Sequence, residues 1–576
     1  MTLAKATRYL AGWLAISMVT AFAAPVSAET MHGLTEQTRK MGGPLPAEQL
    51  ALSFEHLDLG IKVYPYEKRI EAEATLTLRT ESALRDLLID LYPNFHISGI
   101  EINGKKVAQG SWSNPEGQLR ILMPEPAKAG DTIEAKITYA GFPHVAVRPP
   151  WEGGMIWSQT DDGTPWIGSS LWGAGCDLLW PCIDHPTRKP ADADLRITVP
   201  SPLVAPANGV LLDVQETDGW RTYHWKARSP HTYGVVLNVG PYEVIEGVYE
   251  SRFGNSIPMR FWHLPKNREN AQKLFSEFST MLEFFESEIG PYPWADQKMG
   301  VVETPYKGME HQTINAYGNN YEKTPYGYDS LLQHEFSHEY FANQLSVANY
   351  DDLWLHEGFG SYMQPLFGEY LHGSMDYFAM LKSTRAGIRN EQPLVTGEER
   401  SEKDVYADEG GPRGDIYGKG SLVLHTLRSL IGDEAFFESV RTLVYGRPDP
   451  RPGNFVPQFR TTEDFIGIVN TVTGEDLSWF FDVYLFQAAL PELEHTTDGG
   501  EVTVTWKTPG DRPFPMPLEV RVGDRTIVLE MTGGRGEFEL PTGASVTFDP
   551  HSKILRQSDA IDELQRWRAE QQKAAD

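Results

Sequence analysis

The scarcities of this 576-residue chain narrow it first. It holds two cysteines, Cys176 and Cys182, six positions apart beside Trp180-Pro181. No histidine pair neighbours them at ligand spacing, which argues against a structural metal site built on them. They could pair in an oxidising compartment, but the spacing alone leaves that open. Positive charge is short: 51 Lys and Arg face 79 Asp and Glu, for a formal net charge of −28. Such a field repels nucleic acid and anionic membranes. The chain has no low-complexity tract and no internal repeat. Beyond the N-terminus no apolar run has the length of a membrane span, so no stable membrane insertion is expected once that segment is removed.

The N-terminus reads as a targeting segment. Lys5 and Arg8 lead an apolar run over residues 9–24, which ends in the small-residue pattern Val26-Ser27-Ala28. This predicts a signal peptide over residues 1–28, cut before Glu29, and an exported protein, periplasmic or secreted. The alternative is an uncleaved anchor, for which the run is short. No cysteine lies near the cut, which argues against a lipoprotein. Cleavage removes two positive charges and no negative one, taking the net charge from −28 to −30.

The length predicts two to four domains. Period-two alternation, as in Ala74-Thr75-Leu76-Thr77-Leu78 and Leu195-Arg196-Ile197-Thr198-Val199, predicts an all-β domain over residues 29–242. Helical patterns over 267–288 and from Asp329 to about Ala489 dominate the next domain, 243–492. Alternation returns at Val502, Val504 and Trp506, and again at Leu518, Val520 and Val522, for a small β domain over 493–557. Residues 558–576 read as a charged tail. The fold class is multidomain α+β.

The chemistry concentrates at His334-Glu335-Phe336-Ser337-His338. On a helix, a four-residue step puts both histidines on one face, where they can share a metal. Glu335 then stands about 100° round the helix, beside the metal, placed to take a proton from water. Glu357 can supply a third ligand, leaving one tetrahedral position open as a catalytic zinc requires. Tyr328-Asp329-Ser330 reads as the helix start, with Ser330 and Gln333 at capping-box spacing. Asp351 or Asp352 is expected to cap a second helix carrying Glu357. One zinc ion per chain is expected.

Eighteen residues separate His338 from Glu357. Together with Leu353-Trp354-Leu355-His356-Glu357-Gly358-Phe359, Gly308-Met309-Glu310-His311, Ile416-Tyr417-Gly418-Lys419-Gly420 and Trp180-Pro181-Cys182-Ile183-Asp184-His185-Pro186, this resembles the aminopeptidase N family of zinc metallopeptidases, which also includes the leukotriene epoxide hydrolase. The resemblance spans roughly Leu52 to Phe548 and looks like a bacterial exported member without the family's C-terminal helical domain. It implies a saddle-like N-terminal β domain, a thermolysin-like, mostly helical catalytic domain and a small C-terminal β-sandwich. It also implies Tyr417 as stabiliser of the oxyanion; on its own Tyr417 reads as a packing tyrosine. Gly308, Met309, Glu310 and His311 are implied to bind substrate, with Glu310 holding the free amine of a peptide and so measuring one residue from its N-terminus. Two positions depart from the commonest family pattern, Lys307 and His311, and both bear on side-chain preference.

The resemblance also implies a second polar amine contact from the N-terminal domain, for which Gln159 or Asp177 is the candidate. His356, Asp351 and Asp352 are candidates either to orient the ligands or to hold structure. Arg413 and Lys419 could meet a substrate carboxylate, though solvated loop charges are the simpler reading. The expected partner is a peptide with a free N-terminus. The competing readings are a zinc endopeptidase, an epoxide hydrolase and an inactive peptide-binding member.

Overall fold

The computed structural model describes residues 33–453, 455–559, 561–563, 566, 567 and 570; the signal peptide expected at 1–28 and part of the tail lie outside the described residues. The first domain is built on an eight-stranded sheet. Its strand order is Val210–Thr217, Trp220–Arg228, Asp192–Pro200, Leu52–Tyr64, Arg69–Thr80, Thr132–Gly141, His96–Ile102 and Lys105–Lys106. One contact is parallel, Leu52–Tyr64 against Asp192–Pro200 with His56 opposite Asp192; the other contacts are antiparallel. Alternation sets the faces: Leu57, Leu59, Ile61 and Val63 are buried while their neighbours are more accessible. Smaller sheets, Leu84–Asp90 with Gln118–Ala127 and Trp112–Ser113, and Gly154–Gln159 with Pro165–Ser170 and Asn238–Val239, complete this all-β domain. Cys176 and Cys182 are joined by a disulfide, which resolves the pairing that their spacing left open.

The second domain starts from a four-stranded mixed sheet, Glu243–Glu250, Ser256–His263, Met299–Glu303 and Asn315–Tyr317. The expected helix over 267–288 is two helices, Arg268–Phe275 and Phe278–Glu288, interrupted at Ser276 and Glu277. Helix Ser330–Ser337 then leads through His338 into a π-helical turn, Glu339–Gln344. Its cap is Asp329, whose side chain accepts from Leu332 N; Ser330 is the first helical residue, so the capping role expected of it falls one position earlier. Helix Trp354–His372 has no side-chain cap. Asp352 instead accepts from Thr462 N at 2.9 Å, and Asp351 from Thr396 N and Gly397 N. These two carboxylates hold a distant loop and the start of helix Thr462–Thr473 rather than the end of their own helix.

The long helical run Asp415–Tyr445, broken at Gly432, packs across Trp354–His372. Gly358 and Gly420 make that crossing close. A Cβ on Gly358 would stand 3.1 Å from Gly420 Cα, and one on Gly420 would stand 2.9 Å from Gly358 Cα. Each glycine lies within three positions of a residue singled out above: Glu357 on one helix, Tyr417 on the other. The C-terminal strands form two three-stranded layers, Glu492–Asp498, Glu501–Lys507 and Arg535–Glu539 against Leu518–Val522, Arg525–Leu529 and Val546–Phe548. Buried Val502, Val504, Trp506, Leu518 and Val520 line the layers, as their alternation predicts. No helix among the described residues is long and apolar enough to cross a membrane.

Candidate active site

His334, His338 and Glu357 converge. Their nearest ligand atoms form a triangle: 3.2 Å between the two Nε2 atoms, 3.6 Å from His334 Nε2 to Glu357 Oε2, and 3.4 Å from His338 Nε2 to the same oxygen. A tetrahedral zinc with bonds of about 2.0–2.1 Å places its ligands about 3.4 Å apart, so the triangle fits such an ion. Glu357 Oε2 is buried with no hydrogen-bond partner, as a ligand oxygen would be. His338 Nδ1 lies 3.2 Å from Phe341 O; donating there leaves Nε2 as the free lone pair. Two nitrogens and one carboxylate are the donor set of a catalytic zinc site with an open position.

Burial disfavours the charged form of His338, but Glu357 outweighs it and lifts the imidazole to about 10. Burial likewise opposes ionisation of Glu357, yet His338 and His334 draw it below the usual carboxylate range. The two shifts are the two sides of one attraction between the imidazoles and Glu357. Burial, and then the nearby Glu310 carboxylate, raise Glu335 well above the ordinary value.

Gly308 explains how the Glu310 segment comes so near. A Cβ at Gly308 would overlap the Glu335 carboxylate, so glycine here leaves Glu335 its present place. The segment is not a full strand; it touches the sheet through one bridge, Met309 to Ala316. Its position is set by groups the sequence did not single out. Glu339, buried just after the second histidine, accepts from Thr313 N at 2.7 Å and Asn315 Nδ2 at 3.0 Å, and Asn343 Nδ2 donates to Glu310 O at 2.9 Å. Tyr233 OH donates to Glu310 Oε1 at 2.5 Å from the first domain. No local pattern around Thr232-Tyr233-Gly234 signals this, because the contact spans 77 positions.

Tyr417 stacks beside His334 at 6.2 Å between ring centroids, and its hydroxyl lies 2.8 Å from that of Tyr406. Burial and then the charge of Glu357 push the Tyr417 phenol well above its ordinary value, which keeps it a proton donor. His311 is fully buried with neither ring nitrogen bonded, and burial lowers it to about 3.

Several candidates stand elsewhere. Asp177 is buried beside buried Asp90 and half-buried Asp184 in the first domain, and Gln159 is exposed at a strand end. Lys419 is no solvated loop charge: it is buried and donates to Gln487 O at 2.9 Å and Ala488 O at 2.8 Å. Arg413 pairs with Asp408 at 3.2 Å and donates to Ala407 O. His356 Nε2 accepts from Val347 N at 3.0 Å, a structural bond. Among the described residues a second histidine–aspartate group, His56 with Asp192 and Asp194, lies on the outer sheet face. Ion pairs account for it: Asp194 also meets His224 at 2.6 Å and Lys226 at 3.6 Å.

His334, His338 and Glu357 are thus the donor set of a hydrolytic zinc centre. Residues 275–484 match the Peptidase family M1 domain, and the chain carries that domain. It is 22% identical over 396 residues to Tricorn protease-interacting factor F2 of Thermoplasma volcanium, covering 64% of this chain and 47% of that protein. It is 23% identical over 337 residues to Leukotriene A-4 hydrolase of Xenopus laevis, covering 56% and 52%. With Aminopeptidase N of Streptomyces lividans the identity is 25% over 333 residues, covering 53% and 37%. The chain thus spans about half or less of the curated relatives it matches. Among solved structures, a mutant M1 zinc metallopeptidase of Deinococcus radiodurans bound to a Tyr-Ser-Ala substrate shares the fold, with a TM-score of 0.65 at 24% identity, covering 79% of this chain and 98% of that one. The same protein without the mutation gives a TM-score of 0.63, again at 24% identity, covering 77% and 95%.

Proposed function

We propose that this protein is a zinc-dependent aminopeptidase that removes N-terminal residues from peptides. The observation that carries the reading is the Glu310 carboxylate, buried and held by Tyr233 within electrostatic reach of Glu335. A desolvated ammonium needs a fixed negative partner, and one carboxylate at a set distance from the metal counts a single residue from the free end.

His334, His338 and Glu357 would hold the zinc, which when bound would polarise the scissile carbonyl and lower the pKa of water. Glu335 takes the proton from the attacking water and returns it to the departing amine. The Tyr417 hydroxyl donates to the oxygen on which negative charge develops. Gly308 and Met309 offer backbone to the extended substrate, and Gly308 leaves room for Glu335. His311 supports the segment from inside the core. Relatives named aminopeptidase, such as that of Streptomyces lividans, support the same activity. The N-terminal pattern of residues 1–28 and the Cys176–Cys182 disulfide support export to the periplasm or beyond the cell.

The test is a panel of aminoacyl arylamides and short peptides, each free and N-acetylated. Hydrolysis of the free forms alone, lost on chelation and restored by zinc, is the expected result. Equal cleavage of blocked and free peptides would make the protein an endopeptidase, and zinc binding without hydrolysis of either would make it a binding protein.

A further inference from the structure

The amine-reading carboxylate is not held by its own domain alone. Glu310 is fixed through its backbone by the catalytic domain, where Asn343 Nδ2 donates to its carbonyl at 2.9 Å. Its side chain is fixed by the β domain, through the 2.5 Å bond from Tyr233 OH to Oε1. Tyr233 is itself immobilised. It sits in the one-turn helix Thr232–Gly234, fully buried, with Trp172 edge-on at 4.9 Å and His231 at 4.0 Å between ring centroids. Asn208 Nδ2 ties the two segments together, donating to Gly234 O and to Gln312 O at 2.8 Å each. The hydroxyl therefore has a fixed place relative to the Glu310 backbone.

Such a bond has a task. A carboxylate side chain held only through its own backbone spreads over several rotamers. A hydroxyl anchored on Oε1 holds one rotamer and leaves Oε2 available to another donor. Burial keeps the Tyr233 phenol protonated, well above its ordinary value, so the donor is constant.

We propose that Tyr233 is a positioning residue for the amine site: it aims Glu310 at the substrate ammonium, so that recognition of the free N-terminus depends on the β domain being docked. This rests on the proposed role of Glu310. It adds that the exopeptidase ruler is assembled across two domains rather than within the catalytic one.

The experiment is a double-mutant cycle on the zinc-loaded full chain, with Tyr233→Phe, Glu310→Gln and the pair. Each protein is first checked for zinc content and a cooperative melt matching the unmutated chain. Binding of a free amino acid, leucine, is measured by calorimetry alongside KM and kcat for leucyl arylamide. Losing one hydrogen bond to a carboxylate predicts about a tenfold rise in KM and in the leucine Kd for Tyr233→Phe, with kcat changed less. In the Glu310→Gln background the same substitution should add nothing, because the partner it aims is gone. An equal loss in both backgrounds, or no loss in either, overturns the inference while leaving the role of Glu310 intact. If Glu310→Gln itself leaves leucine binding and the preference for a free amine unchanged, the aminopeptidase reading of Glu310 falls and the inference with it.

Discussion

Two buried groups of carboxylates, one in each major domain, meet the same desolvation problem in different ways. In the catalytic domain Glu310, Glu335 and Glu357 surround two imidazoles, and the ligand atoms of His334, His338 and Glu357 close to a triangle that suits a dication. In the β domain Asp90, Asp177 and Asp184 have only weaker help: the Gln49 amide donates to Asp90 at 2.9 Å, Asp184 N donates to Asp90 at 3.0 Å, and Cys176 N reaches Asp184 at 3.3 Å. There burial, then mutual repulsion, raises the acids: Asp90 to about 6 by burial, Asp184 to about 7 by burial and by Asp90, and Asp177 well above its ordinary value. Buried carboxylates can thus be met by imidazoles around a shared site or be pushed towards protonation. The neighbours decide which.

The contrast breaks most sharply at Glu335. Replacing it with glutamine should lower kcat about 10³–10⁴-fold while zinc content stays at one per chain. If zinc is lost with activity, Glu335 holds the site together instead of moving a proton. Tyr417→Phe should lower kcat about 100-fold with KM little changed, since the phenol is needed only as charge develops on the substrate oxygen. An equal rise in KM would assign the tyrosine to packing against Tyr406.

Removing zinc should leave the catalytic domain with uncompensated buried charge. Chelation is expected to lower stability by about 2–4 kcal/mol, read as a lower Tm that zinc restores. His338→Ala should make the chain insensitive to chelator. The β-domain cluster should respond to pH instead. Its folded pKa values lie above the unfolded ones, so its favourable contribution is complete below about pH 4 and is lost as pH rises through about 6 to 7. Asp177→Asn should therefore stabilise the chain by roughly 1–3 kcal/mol at pH 8 and leave it little changed at pH 4, in denaturant melts at both values. The same gain at both pH values would mean that the three acids do not hold protons.

Local patterns in the sequence are legible where geometry is set within one turn. The four-residue histidine step, the helix carrying Glu357 and the alternating strands of both β domains are of this kind. The misread caps show the limit. Ser330 and Gln333 have the spacing of a capping box, but Asp329 stands one position earlier and its carboxylate takes the N–H of Leu332. Asp351 and Asp352 have a cap's position before Trp354–His372, yet Thr396 and Thr462, brought in by tertiary packing, claim them. Lys419 reads as a loop charge because its acceptors, Gln487 O and Ala488 O, are nearly seventy positions away.

For this protein the sequence by itself determined the donor set and its chemistry. Which atoms can bind zinc, which carboxylate can move a proton and which residues share a helix face all follow from residue type and short-range spacing. The tertiary structure decided how that chemistry is aimed. The disulfide between Cys176 and Cys182, the glycine crossing of Gly358 on Gly420, the hold of Glu339 and Asn343 on the Glu310 segment, and the reach of Tyr233 across 77 positions depend on where packing delivers the chain. Bond geometry constrains neighbours within a few residues. Beyond that, only the burial of one surface against another places a side chain to within a hydrogen bond.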